Sequence, residues 1–242
     1  FSNDASSTSV GTIDSAGSIS TTAGFSIITY TGNGTANQSV AHGLGAVPKI
    51  ILIKNRTSAG YWCMTNPRFV SVSDPNIMYL QITVAEADDT NINGTTAPSS
   101  TVFGVDDYGA VNTSGNAHIA YCFTPIQGYS KFGTYIGNGN VDGTFIYTGF
   151  KPAFTIIKST GEDQWSMFDA KRNPFNVVDK NIRANSNGAE ADQANKEVDY
   201  LSNGIKLRTS SGEWNTAGTA YIYMAFAENP FVTSTGIPTT AR

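Results

Sequence analysis

The chain has 242 residues, of which 14% are charged, and a formal net charge of −4 at pH 7. So few charges, together with 24 glycines, are typical of a strand-and-turn protein, and the negative balance offers no basic surface to a nucleic-acid backbone. No apolar run approaches the roughly 20 residues that cross a bilayer. We therefore expect no nucleic-acid partner and no membrane insertion. Because the chain starts at Phe1 rather than Met, we expect a fragment or a processed product of a longer protein.

The first segment differs from the rest in composition. Residues 1–23 contain eleven Ser or Thr and no aromatic residue after Phe1. This little apolar surface does not offset the entropy lost when a core is ordered. We therefore predict a linker or an extended lead-in over residues 1–23.

A repeat of about 104 residues runs through the remainder of the chain. The segment GFSIITYTGNGT begins at Gly24, and its counterpart GYSKFGTYIGNGN begins at Gly128. Further matched pairs follow in the same order, namely Pro48 with Pro152, Lys54 with Lys158, Trp62 with Trp165, Met64 with Met167, and VNTSGNAHIAYCF with WNTAGTAYIYMAF. This period is too long for a solenoid and suits a β-sandwich domain. We predict an all-β fold of two tandem homologous β-sandwich (jelly-roll-like) modules over residues 24–127 and 128–231, followed by a C-terminal tail over residues 232–242.

Strand patterns dominate each module. The apolar runs KIILIKN and AFTIIKS are typical of buried strands bounded by proline and polar turns. The last strand of the first module alternates, and we predict that Ile119, Tyr121 and Phe123 form its core face. Residues 190–201 are the one possible helix. The two cysteines, Cys63 and Cys122, are interpreted as buried free thiols, with a disulfide as the alternative.

The sequence contains none of the common catalytic motifs. It has neither a nucleophile elbow nor a phosphate-binding glycine loop, and we interpret both histidines, His42 and His118, as structural. Glu86 and Glu190 recur in the two modules, but they lie in polar stretches and are interpreted as solvated loop acids rather than a glycosidase pair. We predict that the protein is not an enzyme and uses no cofactor or metal.

The loop before the last strand differs most between the two modules. It reads GVDDYGAVNTSGNA in the first and RTSSGEWNTAGTA in the second. Aromatic rings beside acceptors suit a sugar or another polar polymer, and the loops of a sandwich often carry such sites. The predicted ligand-binding residues are Asp106, Asp107, Tyr108, Glu213 and Trp214. The alternative is that Trp214 covers a sheet edge.

Three long segments carry a resemblance to a known family. They are AGFSIITYTGNGTANQSVAHGLGAVPKIILIKNRTSAGYW, IAYCFTPIQGYSKFGTYIGNGNVDGTFIYTGFKP, and LSNGIKLRT with the later YIYMAFAENPF. The region from Ala23 to Phe231 resembles the C-terminal duplicated region of tail-fibre-like structural proteins of marine and environmental tailed bacteriophages. The resemblance carries no catalytic residues over to this chain.

The resemblance implies a virion structural protein, with the chain located on the extracellular particle as a tail-fibre or adhesin region that contacts the host surface. Expected partners are other copies of the chain, in a homotrimer, other virion proteins, and a host-surface glycan or receptor. Two alternatives stay open, a capsid decoration protein and a glycan-degrading spike. The first would bind capsid, and the second would shorten polysaccharide.

Overall fold

A computed structural model describes residues 2–192 and 197–228. Within these residues the chain divides into two compact units, the first formed by residues 2–80 and 86–124 and the second by residues 81–85 and 125–228. The predicted C-terminal tail, residues 232–242, lies outside the described residues. The fold is all-β, as predicted, with helices of only four residues each.

Unit 1 is built from nine strands and two short helices. In chain order they are β1 (Ser2–Asn3), α1 (Ala5–Thr8), β2 (Ser15–Ser20), β3 (Phe25–Thr31), β4 (Gln38–Ala41), β5 (Ile50–Asn55), β6 (Trp62–Thr65), β7 (Met78–Tyr79), β8 (Val102–Val105), α2 (Gly109–Asn112) and β9 (Ala117–Phe123). Seven strands form one antiparallel sheet in the order β1-β2-β3-β9-β5-β6-β7, and β4 pairs with β8 in a second, small sheet. Apolar residues of both sheets form one core, to which α2 adds Ala110 and Val111.

Unit 2 is built in the same way from nine strands and one helix. They are β10 (Ser130–Ile136), β11 (Phe145–Tyr147), β12 (Pro152–Ser159), β13 (Ser166–Asp169), β14 (Lys180–Arg183), β15 (Ala191–Asp192), β16 (Val198–Leu201), β17 (Gly204–Leu207), α3 (Gly212–Asn215) and β18 (Ala220–Ala227). The large sheet has the order β10-β18-β12-β13-β14-β15 and the small one β11-β17-β16. The central four strands therefore follow one pattern in both units, with β3-β9-β5-β6 equivalent to β10-β18-β12-β13.

A buried asparagine fixes the first turn of unit 1 to the segment before the last strand. The Oδ1 atom of Asn112 accepts a hydrogen bond from the backbone N–H of Asn33 (2.9 Å), and its Nδ2 donates to the carbonyl oxygen of Thr35 (2.8 Å). The Tyr30 hydroxyl donates to the carbonyl oxygen of Val111 (2.6 Å). Because Asn112 is fully buried, these bonds satisfy polar groups that would otherwise be costly in a core.

Unit 2 contains the same arrangement, formed by Asn215. Its Oδ1 accepts from the N–H of Asn138 (2.9 Å), its Nδ2 donates to the carbonyl oxygen of Asn140 (2.9 Å), and the Tyr135 hydroxyl donates to the carbonyl oxygen of Trp214 (2.7 Å). We call these two bonded sets, centred on Asn112 and Asn215, the asparagine clamps. They explain why the GNG turn and the NT(S/A)G segment recur together in the sequence.

The glycines of each GNG turn are required for two different reasons. Gly34 has φ +68°, a conformation that side chains with a Cβ rarely adopt. Gly32 lies against the backbone of the α2 end, where a Cβ atom would come within 2.3 Å of the carbonyl oxygen of Thr113.

The lead-in is part of unit 1, and its interpretation as a linker is wrong. Residues 15–20 pair with β3 along six positions, and Ile13 is 5% exposed within the core. Composition did not reveal this because a strand on a sheet edge is held by its backbone ladder and needs few apolar side chains. Gly17 fits into this strand only because it has no side chain. A Cβ atom at this position would lie 2.0 Å from the carbonyl oxygen of Ile27.

The prediction for the core face of the last strand is also wrong. In β9 the core side carries His118, Ala120 and Cys122, all fully buried, whereas Ile119 and Tyr121 are half-buried on the opposite face. His118 stacks on the Tyr30 ring at 5.1 Å. Both faces of this central strand carry apolar residues, so hydrophobic alternation does not distinguish them.

The helix predicted over residues 190–201 is not present in the described part of that range. Residues 191–192 form β15 and residues 198–201 form β16, while residues 193–196 lie outside the described residues. Hydrogen bonds to neighbouring strands therefore override a weak helical preference.

Both cysteines are buried free thiols, as the sequence predicted. Cys63 lies on β6 and Cys122 on β9, and β5 runs between these strands. Two strand spacings amount to about 10 Å, which is too far for a disulfide. Burial raises the pKa of each thiol to about 12.

We expect Gly32→Ala to destabilise the protein by about 1–3 kcal/mol, because the added methyl group meets backbone that has no room to move. Denaturant unfolding measures the change. Gly60→Ala is the matched control, since a Cβ there meets nothing within 4 Å. An equal effect at both positions would contradict the steric explanation.

We expect the native protein to show almost no thiol reactivity at pH 8, at least about 100-fold slower than an exposed cysteine, because neither buried thiol ionises. Titration with a chromogenic disulfide reagent checks this. Two thiols should react after unfolding without reductant. One rapidly reacting thiol in the native protein would show that the burial is wrong.

Candidate functional site

The candidate site of unit 1 lies where the loop after β8 enters α2. Tyr108 is the residue that precedes α2, and its partly buried side chain packs against the core. The asparagine clamp holds the far end of α2 through Val111 and Asn112. Tyr108 therefore projects from a short segment that is fixed at both ends.

Two further tyrosines and one carboxylate lie close enough to Tyr108 to interact with it electrostatically. The rings of Tyr61 and Tyr79 lie 4.8 Å apart at an angle of 47°, and Tyr61 is 42% exposed. The Tyr79 hydroxyl donates to Oδ2 of Asp89 (3.0 Å), whose Oδ1 accepts from the N–H of Asn91 (3.1 Å). We call Tyr61, Tyr79, Tyr108 and Asp89 the tyrosine cluster.

The electrostatics of the tyrosine cluster show that its members interact. Burial raises the pKa of Tyr108, and the nearby Cys63, Asp89 and Tyr61 raise it further. Burial also raises the pKa of Tyr79, again reinforced by Asp89. Both phenols are therefore protonated donors at neutral pH.

This arrangement combines flat apolar rings with hydroxyl donors and a fixed carboxylate acceptor. Tyrosine gives large contact area at little entropic cost, and its hydroxyl supplies the polar contact. Such a surface can hold a ligand with both apolar faces and hydroxyl groups.

The equivalent place in unit 2 has a different chemistry. Arg183 on β14 occupies the position of Tyr79 on β7, because the two residues pair with equivalent residues on the strand before them. In the sequence alignment of the two modules, Gln164 occupies the position of Tyr61. Arg183 donates to Oε1 of Glu213 (3.0 Å). An ion pair therefore replaces the aromatic rings, and the tyrosine cluster belongs to unit 1 alone.

Trp214 does not face a ligand, and that prediction is corrected. Its side chain is fully buried, its Nε1 donates to the Ser166 hydroxyl (2.9 Å), and its ring meets Phe168 edge to face at 4.9 Å. It also does not cover an edge, because it occupies the core position that Val111 holds in unit 1. Glu213 is likewise committed to Arg183.

The two predicted aspartates of unit 1 have different surroundings. Oδ1 of Asp106 accepts from the N–H of Asn37 (2.9 Å), which ties two loops together. Asp107 is exposed beside Tyr108. A ligand role for Asp107 and Tyr108 therefore stays a prediction, and the structure brings Tyr61, Tyr79 and Asp89 beside Tyr108.

Both recurring glutamates form ion pairs, but only Glu86 is shielded from solvent, whereas Glu190 is an exposed loop acid, as predicted. Glu86 accepts from Nε of Arg68 (2.8 Å) and Glu190 from a guanidinium nitrogen of Arg172 (2.9 Å), so the pair itself recurs in both units. Burial raises the pKa of Glu86 despite Arg68. His42 is also structural, with its Nδ1 accepting from the N–H of Leu44.

Three further features concern other kinds of site. Across residues 2–192 and 197–228, no three His, Cys, Asp or Glu residues gather as metal ligands would. A cavity of about 830 Å³ is an open groove lined by residues of the lead-in together with Thr31 and Asn33. In the part of the chain that the structure describes, no helix has the length and apolar character needed to span a bilayer.

Sequence reasoning found the loop but missed most of its surroundings. Tyr61, Tyr79 and Asp89 are distant from Tyr108 in sequence and meet only through the β6–β7 pairing and the loop that follows. One available signal was the replacement of Tyr61 by Gln164 in the second module. No such signal marked Tyr79, because its counterpart in unit 2 can be identified only from the strand pairing.

The fold and the site define a class, an all-β protein of two sandwich units with an aromatic surface site on the first. The chain belongs to the family described as a domain of unknown function, DUF7483, which matches residues 1–230. That range includes the lead-in, in agreement with its place in the sheet of unit 1. The searches of curated proteins and of solved structures gave no match.

We expect Trp214→Ala to lower the free energy of unfolding by about 3–5 kcal/mol, because it empties a core site and leaves Ser166 without its donor. Trp214→Phe should cost less. Thermal unfolding measures both. Tyr61→Ala, which truncates an exposed ring, should change stability little, and a comparable loss there would contradict the assigned burial.

Proposed function

We propose that this protein is a virion structural protein, the tail-fibre or adhesin region of a tailed bacteriophage, and that it binds a host-surface glycan. The tyrosine cluster is the observation that carries the binding role. The sequence resemblance of residues 23–231 to phage tail-fibre-like proteins supports the location on the virion.

The chemistry of the tyrosine cluster favours a saccharide over other surface polymers. A sugar ring presents C–H groups on its faces and hydroxyl groups around its rim, so it needs aromatic stacking together with donors and acceptors. Tyr61 supplies an exposed ring, and Asp89 supplies an acceptor already oriented by Tyr79 and Asn91. The exposed position of the Tyr61 ring suits a repeating polymer that lies along the surface.

The assembly around this site is part of the same proposal. A fibre or adhesin region acts with other copies of itself, for which the resemblance implies three, and with other virion proteins. Several weak sites on one particle act together through their effective concentration. We also propose that the two units arose by duplication, supported by their matching central strands and by the two asparagine clamps.

We expect Tyr61→Ala to weaken polysaccharide binding about fivefold or more, since truncating a stacking aromatic commonly costs 1 kcal/mol or more. Binding is measured by titration against purified bacterial surface polysaccharides, beginning with an array and continuing with the strongest ligand. Tyr61→Phe keeps the ring and should retain most of the affinity.

The matched control is Phe175→Ala, which removes an exposed aromatic ring from unit 2 (83% exposed) and should leave binding unchanged. Unfolding curves confirm that each variant is folded. Equal losses for both variants, or no polysaccharide bound by the wild type, would remove the glycan proposal. Placing the chain in a cryo-EM map of purified particles tests the virion location separately.

A further inference from the structure

In unit 1 the lead-in closes one side of the sandwich, between β3 of the large sheet and β4 of the small one. Residues 15–20 pair antiparallel with β3. The N–H groups of Thr12 and Ile13 donate to the carbonyl oxygen of Ser39 on β4 (2.9 and 3.0 Å), and the Ser15 hydroxyl donates to the carbonyl oxygen of Ala41 (3.2 Å). This edge of the module therefore accepts an added antiparallel strand.

The equivalent side of unit 2 has no such strand among the described residues. There β10 is the last strand of the large sheet, and β11 is the last strand of the small one. We call the side bounded by β10 and β11 the open seam. Lys131 partly compensates, since its Nζ donates to the carbonyl oxygen of Tyr147 (2.8 Å), the position equivalent to Ala41.

Large apolar side chains flank the open seam. Ile136, Phe145 and Tyr147 are 55%, 43% and 58% exposed. The ladder partners show that the equivalent positions of unit 1 are Thr31, Ser39 and Ala41, which are small or polar. Exposed apolar groups beside an unpaired strand edge are unusual on a solitary protein and mark a contact surface.

The direction of the backbone groups on β10 can be assigned. Gly137 donates to Thr219, and the Tyr129 carbonyl accepts from Ala227, so odd-numbered residues of this strand face β18. Successive residues alternate, and therefore Thr134 directs its N–H and C=O toward the open seam. Its side chain is exposed as well.

We propose that the open seam binds the open seam of a second copy of this chain, with the two β10 strands antiparallel and related by a two-fold axis near Thr134. Each Thr134 then exchanges N–H···O bonds with the other. The Ile136 and Phe145 end of one copy comes to lie beside the Tyr147 end of its partner, so apolar surface meets apolar surface on both sides of the axis.

Self-complementarity favours a second copy over another occupant. A two-fold contact needs one surface patch that matches itself after reversal, and a strand edge with apolar groups at both ends meets that need. Neither copy has to give up a contact, because the lead-in stays in unit 1. A contact between two copies differs from the three copies that the fibre resemblance implies. The molar mass of the purified protein in solution distinguishes a dimer from a trimer.

The test uses the full chain and two variants of the seam. Thr134→Pro removes the outward N–H at a position where an edge strand tolerates proline, and Ile136→Lys places a charge in the apolar end of the contact. We expect the wild type to be a dimer by light scattering and both variants to dissociate at least about tenfold more readily, with unchanged circular dichroism. Thr134→Val, which keeps the N–H, and Val70→Lys, an exposed residue of unit 1, are the matched controls.

Amide hydrogen exchange gives a second readout. The Thr134 amide should become protected as concentration rises, whereas the Tyr135 amide, bonded within the sheet, should be protected throughout. A monomer at all concentrations, a trimer that both seam variants leave intact, or a dimer with an unprotected Thr134 amide would each overturn the proposal.

Discussion

The structure of each unit depends on one buried asparagine side chain. Asn112 and Asn215 join the GNG turn, which follows the first central strand, to the short helix that precedes the last strand. An amide group satisfied on both its oxygen and its nitrogen can be buried without penalty, and its fixed geometry specifies one arrangement of the two segments. The tyrosine hydroxyl beside each asparagine strengthens the same link. In unit 1 this link also sets the direction in which Tyr108 projects.

The two units differ at positions that do not form the asparagine clamps. The buried core residue is Val111 in α2 and Trp214 in α3. The surface in front of it carries tyrosine rings in unit 1 and the Arg183–Glu213 pair in unit 2. A larger core residue in unit 2 thus accompanies a polar, self-neutralised surface, whereas unit 1 keeps aromatic rings accessible. The tyrosine cluster therefore lies on one unit, although the central strands are common to both.

The two units also differ at the strand edge next to their first central strand. Unit 1 uses its lead-in as an edge strand, and the positions around that strand are small or polar. Unit 2 exposes the equivalent edge and surrounds it with Ile136, Phe145 and Tyr147. An exposed strand edge invites pairing, so proteins usually protect it with charge, and here Lys131 is the one cation on β10, already engaged with Tyr147. Unit 1 therefore carries an aromatic and polar surface, and unit 2 carries an apolar edge with backbone groups for pairing.

The sequence by itself determined the all-β class, the repeat near 104 residues and the main strands of each module, because period-two patterns and turn glycines are local signals. It favoured free thiols for both cysteines, and the structure decided against the disulfide that it left open. It also located the loop that carries Tyr108. The tertiary structure alone decided which face of β9 lies in the core, since both faces are apolar. It decided that residues 15–20 join a sheet, since a backbone ladder needs no apolar pattern. It placed Trp214 inside and Tyr61, Tyr79 and Asp89 around Tyr108, because strand register and long-range contacts, which no local pattern encodes, bring those residues together.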